Sequence, residues 1–337
     1  MSKYNQLDYE ELNYAIDKIA HWYKKNIKFL NIITVPFNTS YIFSDIINEI
    51  SMQGGKILYV WGNNRENREL LTLLREVNLE ITYSYIECGE GISNLTFVNE
   101  KKLGLIRGKY DLIIFDDIGY FSSIDNSNIR NKMDICSILS HKIIFYGIEK
   151  ISLNGEFIEI SPYNYEKPFV EPRILTTRIN LNTDIPYNLY EYLKWFVSMR
   201  KKVAIYTPDK EKLNLVYDYF ETQLIMKGVK VIKVSEEDEF KRCSRVLKYK
   251  DKAIFIITDK VKELSEYCLV NDAVILFADD IRYTYKKFMY LCGKIGQINK
   301  ELPEVLLVSN SISEDIDKAK ELSREFNRKI WEKTSRK

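Results

Sequence analysis

The sequence predicts an α/β protein built from two domains in tandem, each a mostly parallel sheet flanked by helices. Three observations carry this. Short runs of β-branched and aromatic residues recur along all 337 residues and alternate with stretches of helical spacing. The length suits two domains of ordinary size. Four of the seven prolines (Pro162, Pro168, Pro172 and Pro186) fall between residues 151 and 188, and that stretch reads as the junction. The expected boundary therefore divides the chain into residues 1–160 and 161–337.

In the first half the expected strands are Phe29–Val35, Lys56–Trp61, Leu95–Phe97, Asp111–Phe115 and Lys142–Tyr146. Ile46, Ile47 and Ile50 place a helix over 44–53. Leu70, Leu71, Leu74 and Val77 place another over 65–77. Strand, helix, strand, helix is the order that builds a parallel sheet, because a parallel pair needs a crossover. The second half repeats the pattern. A helix over 189–198 leads to a strand at 203–206 and a helix over 211–226. Strands follow at 229–234, 253–258, 273–277 and 304–308, and a charge-rich helix over 313–331 ends the chain. Two sheets of this kind are expected to hold ligands at the ends of their strands and between the domains.

Composition narrows the function. Hydrophobic residues are 45% of the chain, enough for a core in each domain. Charged residues are 29% and nearly balanced at a formal +2, so no global basic footprint for nucleic acid exists, although a local groove is compatible with it. Cys88, Cys136, Cys243, Cys268 and Cys292 include no Cys-x-x-Cys spacing, so zinc is not expected. Scattered cysteines, no signal-like amino terminus and no apolar run near the ~20 residues of a bilayer span give the expectation of a cytoplasmic protein.

The chemistry-bearing stretch is Lys109 to Phe121. Leu112 to Phe115 form an apolar strand that ends in Asp116 and Asp117. A carboxylate pair at a buried strand end is how nucleotide-hydrolysing sheets hold Mg²⁺ and orient water. Its usual partner is a glycine-rich turn with a lysine after the first strand. Here that turn reads Pro36-Phe37-Asn38-Thr39-Ser40, and residues 29–53 contain neither Gly nor Lys. Asn38, Thr39 and Ser40 suit capping of the following helix, with weak anion affinity as the alternative. His21 and His141 stand apart from any nucleophile motif and read as structural.

In order and spacing, residues 25–330 resemble superfamily 2 helicases, and among them the ComFA family of competence-associated DNA-uptake ATPases. Four stretches carry the resemblance. They are 111–121, Phe169-Val-Glu-Pro-Arg173, Val203–Pro208, and Phe288–Asn327 with its Leu-Cys-Gly-Lys-Ile-Gly-Gln run. The resemblance implies two tandem RecA-like domains, ATP and Mg²⁺ as cofactors, and single-stranded DNA as the track. Asp116 and Asp117 would stand at the Asp-Glu position, with Asp116 the metal carboxylate if Mg²⁺ binds. Asn38, Thr39 and Ser40 would stand at the phosphate loop. Lys294 and Gln297 would stand at the arginines that stabilise the transferred phosphoryl group, and Trp61 and Asn63 at a DNA-touching turn. Lys286 and Lys287, with Tyr283 and Tyr285, mark a further nucleic-acid candidate whose plainer reading is a solvated helix face.

Departures from that pattern are concentrated at strand tips. The loop lacks its lysine, Gly119 replaces an acid, Tyr146-Gly147-Ile148 replaces a hydroxyl-rich turn, Leu264 replaces a glycine, and Gln297 is uncharged. The cysteine-rich zinc module of many members is also missing. Losing one such arginine typically costs ~10³-fold in rate. The expectation is a folded, helicase-like pseudoenzyme that binds single-stranded DNA or a DNA-processing partner, with ATP and Mg²⁺ only if residual activity persists. An active translocase with divergent motifs and a protein-interaction scaffold are the alternatives.

Overall fold

In the computed structural model the described residues are 9–119, 126–151, 154–160, 168–247, 249, 251–262, 264, 270–298 and 303–334. The chain divides into two compact units, Met1–Glu166 and Lys167–Ser335.

The first unit is a seven-stranded parallel sheet. Its strands are β1 (Phe29–Ile33), β2 (Ile57–Trp61), β3 (Tyr83–Ile86), β4 (Leu95–Asn99), β5 (Leu112–Asp116), β6 (Ile143–Gly147) and β7 (Gly155–Glu159). They lie in the order β3-β4-β2-β5-β6-β1-β7. Central strands buried on both faces need continuous apolar runs, and β2, β4, β5 and β6 are buried at every position. One face carries α4 (Asn126–Leu139), whose Ile129, Met133 and Cys136 pack on Leu58, Val60, Ile113, Phe115, Ile143 and Phe145. Helices α1 (Tyr9–Lys24), α2 (Ser44–Met52) and α3 (Arg68–Val77) complete the unit. Asn67 starts α3 by accepting the Leu70 amide at 3.1 Å. Lys142 closes α1, donating to the carbonyls of Trp22, Lys25 and Ile27, with its ammonium 4.9 Å from the Trp22 ring.

The second unit is a six-stranded parallel sheet in the order β10-β11-β9-β12-β13-β8. The strands are β8 (Arg173–Thr176), β9 (Lys202–Tyr206), β10 (Val229–Lys233), β11 (Ala253–Thr258), β12 (Asp272–Leu276) and β13 (Val305–Ser309). Helices α5 (Tyr187–Ser198) and α6 (Lys210–Thr222) bury Leu189, Leu193, Phe196, Leu213, Val216 and Phe220 against Val203, Ile205, Phe255, Ile257 and Val274. Helix α7 (Glu237–Val246) opens on a capping box between Glu236 and Glu239. Helices α8 (Tyr285–Ile298) and α9 (Glu314–Thr334) pack on each other, with Lys318 3.7 Å above the Tyr285 ring.

Two expectations need correction. The proline-rich stretch 151–188 is more than a junction, because it contributes the edge strand of each sheet. β7 lies beside β1, and β8 lies beside β13. Both are short and half-exposed, so they lack the apolar run that marks a central strand. The helix holding Lys286 is not a solvated face. Phe288, Met289, Tyr290, Leu291 and Cys292 are all buried, and Lys286 is 2% exposed.

Candidate nucleotide site of the first unit

All seven strands run parallel, so every strand tip of the first sheet opens on one edge. β6 separates the tip of β5, with its two carboxylates, from the turn that follows β1. Register pairs Asp116 with Tyr146 on one side of β6, and Tyr146 with Ile32 of β1 on the other. Residues in register on adjacent strands share a face, so the Tyr146 side chain stands between the carboxylate and the β1 turn.

Asp116 accepts three hydrogen bonds from the protein. Its Oδ2 accepts the Tyr59 hydroxyl at 2.6 Å, and its Oδ1 accepts the amides of Ile118 at 3.0 Å and Gly119 at 2.7 Å. Burial pushes its pKa from 3.8 up to about 6, against the hydrogen bonds from Tyr59, Gly119 and Ile118 that favour the carboxylate. Burial, then the Asp116 charge, holds the phenols of Tyr59 and Tyr146 well above their ordinary value. Asp117 is buried, and its amide donates to the Tyr146 carbonyl at 2.8 Å. The turn doubles back so tightly that a Cβ on Gly119 would lie 2.5 Å from Asp116 Oδ2. A side chain at position 119 would therefore require the Asp116 carboxylate to shift.

The turn after β1 satisfies itself. Thr39 N donates to Asn38 Oδ1 at 2.9 Å, Tyr41 N donates to Thr39 Oγ1 at 3.0 Å, and Asn38 Nδ2 donates to Thr34 Oγ1 at 2.7 Å. Phe37 N reaches the Ile118 carbonyl at 3.0 Å, which ties this turn to the one after β5. Phe37 holds φ of 59°, a left-handed conformation natural to glycine. Ser40 starts a short 3-10 turn, Tyr41–Phe43, without a side-chain cap bond, and the position before α2 is Phe43. The Tyr146 hydroxyl donates to the Thr39 carbonyl at 2.8 Å, and its ring meets Phe43 edge-on at 5.1 Å. A phosphate cradle needs amides and a cation aimed outward. Here the Thr39 and Tyr41 amides are spent internally, the turn carries no lysine, and both Asp116 oxygens already accept hydrogen bonds from the protein, so the residues present do not fit a Mg²⁺-bound triphosphate.

The remaining candidates are dispersed. Trp61 is buried at the end of β2, with Nε1 donating to the Arg65 carbonyl at 2.9 Å. Asn63 is half-exposed in the following turn, which Asn99 braces through the Gly62 carbonyl at 3.0 Å. In the second unit Lys294 is half-buried on α8. The Gln297 side chain, Tyr120, Phe121, Pro162 and Cys268 lie outside the described residues. Lys287 is half-buried and donates to the Arg282 carbonyl at 2.6 Å, and burial lowers its pKa. Among the described residues no group of three or more His, Cys, Asp or Glu is placed to hold a metal ion.

One strand-tip residue escaped the sequence reading. Arg282, in the turn after β12, meets Asp280 in a fork (Nε–Oδ1 2.7 Å, Nη2–Oδ2 2.6 Å) and also donates to Asp209 at the start of α6. The Asp280-Ile-Arg282 spacing directly after a strand is the signal that marks it. With two carboxylates on its guanidinium, Arg282 is committed to bracing the β9 and β12 turns.

Both sheets, parallel and flanked by helices, define tandem RecA-like α/β units. Among solved structures the same fold is seen in the DExH-box NTPase HrpB of Escherichia coli, at 12% identity and a TM-score of 0.53, over 94% of this chain and 43% of that one. RecG bound to a three-way DNA junction matches at 13% identity and 0.53, over 96% and 45%. The helicase Lhr of Mycobacterium smegmatis, bound to single-stranded DNA and AMP-PNP, matches at 9% identity and 0.51, over 94% and 48%. The chain thus spans less than half the length of these helicase structures, and at such identities the likeness is one of fold. No protein-family model and no curated protein sequence matches the chain. Among the described residues, no helix is long and apolar enough to cross a membrane.

Proposed function

We propose that this protein is a helicase-like pseudoenzyme related to the ComFA DNA-uptake ATPases, which binds single-stranded DNA or a DNA-processing partner in the cytoplasm with little or no ATP hydrolysis. The observation that carries the reading is the closed strand-tip site. Asp116 accepts three hydrogen bonds from the protein itself, and the turn after β1 spends its Thr39 and Tyr41 amides on its own side chains. Phosphoryl transfer works almost entirely by positioning and charge stabilisation. Without an outward cradle or a loop lysine, neither is supplied. The helicase fold leaves nucleic-acid or partner binding as the function that does not need the nucleotide.

Two measurements test this. Calorimetric titration with ATP and Mg²⁺ is expected to give no binding at millimolar nucleotide. Filter binding to single-stranded DNA is expected to show retention that falls as salt rises, as counterion release requires. Single-stranded-DNA-stimulated phosphate release that disappears in Asp116→Ala would instead establish an active translocase. Recovery of a protein partner with no nucleic-acid binding would establish a scaffold.

A further inference from the structure

We infer that the amino edge of the second sheet takes the phosphate backbone of a single strand of DNA, with Lys202, Lys230 and Lys252 as phosphate contacts and Tyr249 as a stacking platform. This rests on the single-stranded-DNA reading above and names the surface that performs it.

The small net charge of the chain conceals an imbalance. Residues 1–166 hold 17 Lys and Arg against 22 Asp and Glu, and residues 167–337 hold 33 against 26. Part of that surplus gathers where β10, β11 and β9 begin. These three strands are neighbours, and register places Lys230 beside Ile254 and Ile254 beside Lys202. Val203, Ile205, Val229, Val231, Phe255 and Ile257 face α5 and α6. Lys202, Lys230 and Lys252 take the alternate positions, so all three share the other face. Across two strand spacings Lys230 and Lys202 stand roughly 10 Å apart. Arg245 in the last turn of α7 and Arg200 in the turn before β9 flank them.

Three observations mark this edge as built for an anion. Lys202 is 9% exposed, yet its ammonium donates to the Lys252 carbonyl and forms no ion pair. Burial lowers its pKa. The equivalent lysine of the first unit, Lys142 at the start of β6, instead spreads its protons over the carbonyls of Trp22, Lys25 and Ile27. A buried ammonium without a carboxylate is costly, and a phosphate oxygen supplies what is missing. Secondly, Lys230, Lys252, Arg245 and Arg200 are exposed, and among the described residues none forms an ion pair. Arg200 holds φ of 53°, a left-handed position where helix ends favour glycine. Thirdly, Tyr249 is 66% exposed between α7 and β11, beside these cations. A basic groove with an open aromatic face is how single strands are held. The opposing charges are smaller. Asp251 is the acid that acts on Lys202, and the carboxyl ends of α5, α6 and α7 bring roughly half a negative charge each. Asp218 and Glu221 lie on α6, which covers the opposite face.

The test is fluorescence anisotropy of a labelled oligothymidine over a range of salt, with circular dichroism to verify folding. The native chain is expected to bind in a salt-dependent way. Lys230→Glu with Lys252→Glu is expected to weaken binding at least about tenfold and to lower the salt slope by about 1.4, two single-strand phosphate contacts. Arg178→Glu with Lys210→Glu makes the same charge change at exposed positions on the carboxyl edge of the same sheet and is expected to weaken it less than about threefold. Tyr249→Ala is expected to cost about fivefold or more, and Lys202→Met about threefold or more. No binding by the native chain would overturn the single-stranded-DNA reading itself. Native binding that the amino-edge pair leaves unchanged, or that both pairs weaken alike, would overturn this surface and leave that reading standing. Unchanged binding by Tyr249→Ala or by Lys202→Met would overturn the platform or the buried contact respectively. If the reversals disturb folding, Lys230→Gln with Lys252→Gln is held to the same outcomes.

Discussion

Replacing Asp116 with Asn removes a titrating charge from the interior of the first unit while keeping the shape of the side chain. The native carboxyl is raised from 3.8 to about 6, burial being the largest cause. A raised carboxyl means the folded state holds its proton more strongly than the unfolded state does. The associated stabilisation is fully present below pH 3.8 and is lost as pH rises through about 6. A gap of about two pH units corresponds to ~3 kcal/mol for a group this deeply buried. Asn carries no charge across that range, so its contribution is flat. Its amide keeps an oxygen for the Ile118 and Gly119 amides and presents a nitrogen to the Tyr59 hydroxyl, which can turn to accept. Urea unfolding at several pH values from about 4 to 7 is then expected to show the native protein losing ~3 kcal/mol relative to Asp116→Asn. Parallel stability curves for the two proteins would refute the reasoning, since the Asp116 carboxyl would then titrate alike in both states.

Further outcomes follow from particular positions. Glu100 and Lys132 form an ion pair of 2.6 Å, with the Glu100 side chain 6% exposed. Glu100→Ala strands the ammonium and is expected to cost ~3 kcal/mol in urea unfolding. Lys142→Met removes the donor shared by the carbonyls that end α1, with an expected cost of ~1–3 kcal/mol and faster amide exchange confined to residues 20–28. Phe115→Ala opens a cavity among Val60, Ile113 and Phe145 and is expected to cost ~3–5 kcal/mol, whereas Ile281→Ser at a 94% exposed position should change stability by less than ~0.5 kcal/mol. Gln297→Arg places an arginine where the helicase resemblance would expect one, and on the proposed reading phosphate release is expected to stay at background, because the turn after β1 offers no lysine and spends its Thr39 and Tyr41 amides internally.

Much of the fold was legible in sequence because buried parallel strands write themselves as apolar runs. Ile57–Trp61, Leu112–Phe115 and Ile143–Tyr146 are such runs, and each is a central strand. The edge strands Tyr83–Ile86, Gly155–Glu159 and Arg173–Thr176 escaped for the opposite reason. Each is half-solvated and carries polar residues, so local pattern does not separate it from a loop. Lys286 was misplaced by its charge. Lysine normally marks solvent, but Phe288 to Cys292 around it belong to a helix packed into the second unit.

The residues of the first unit's strand-tip site are divided in the same way. The chain by itself established that Asp116 and Asp117 end a buried strand, and that the turn after β1 lacks glycine and lysine. These are local properties of consecutive residues. Only the tertiary structure decided that Tyr59 and the 118–119 amides would take the Asp116 oxygens, that Asn38 and Thr39 would turn inward onto amides, and that Tyr146 would lie between the two turns. Those facts depend on strand order, which brings residues 59, 116 and 146 together across gaps of 57 and 30 positions. Periodicity describes which face a residue takes, but the neighbour it meets there is fixed by the way distant strands pair.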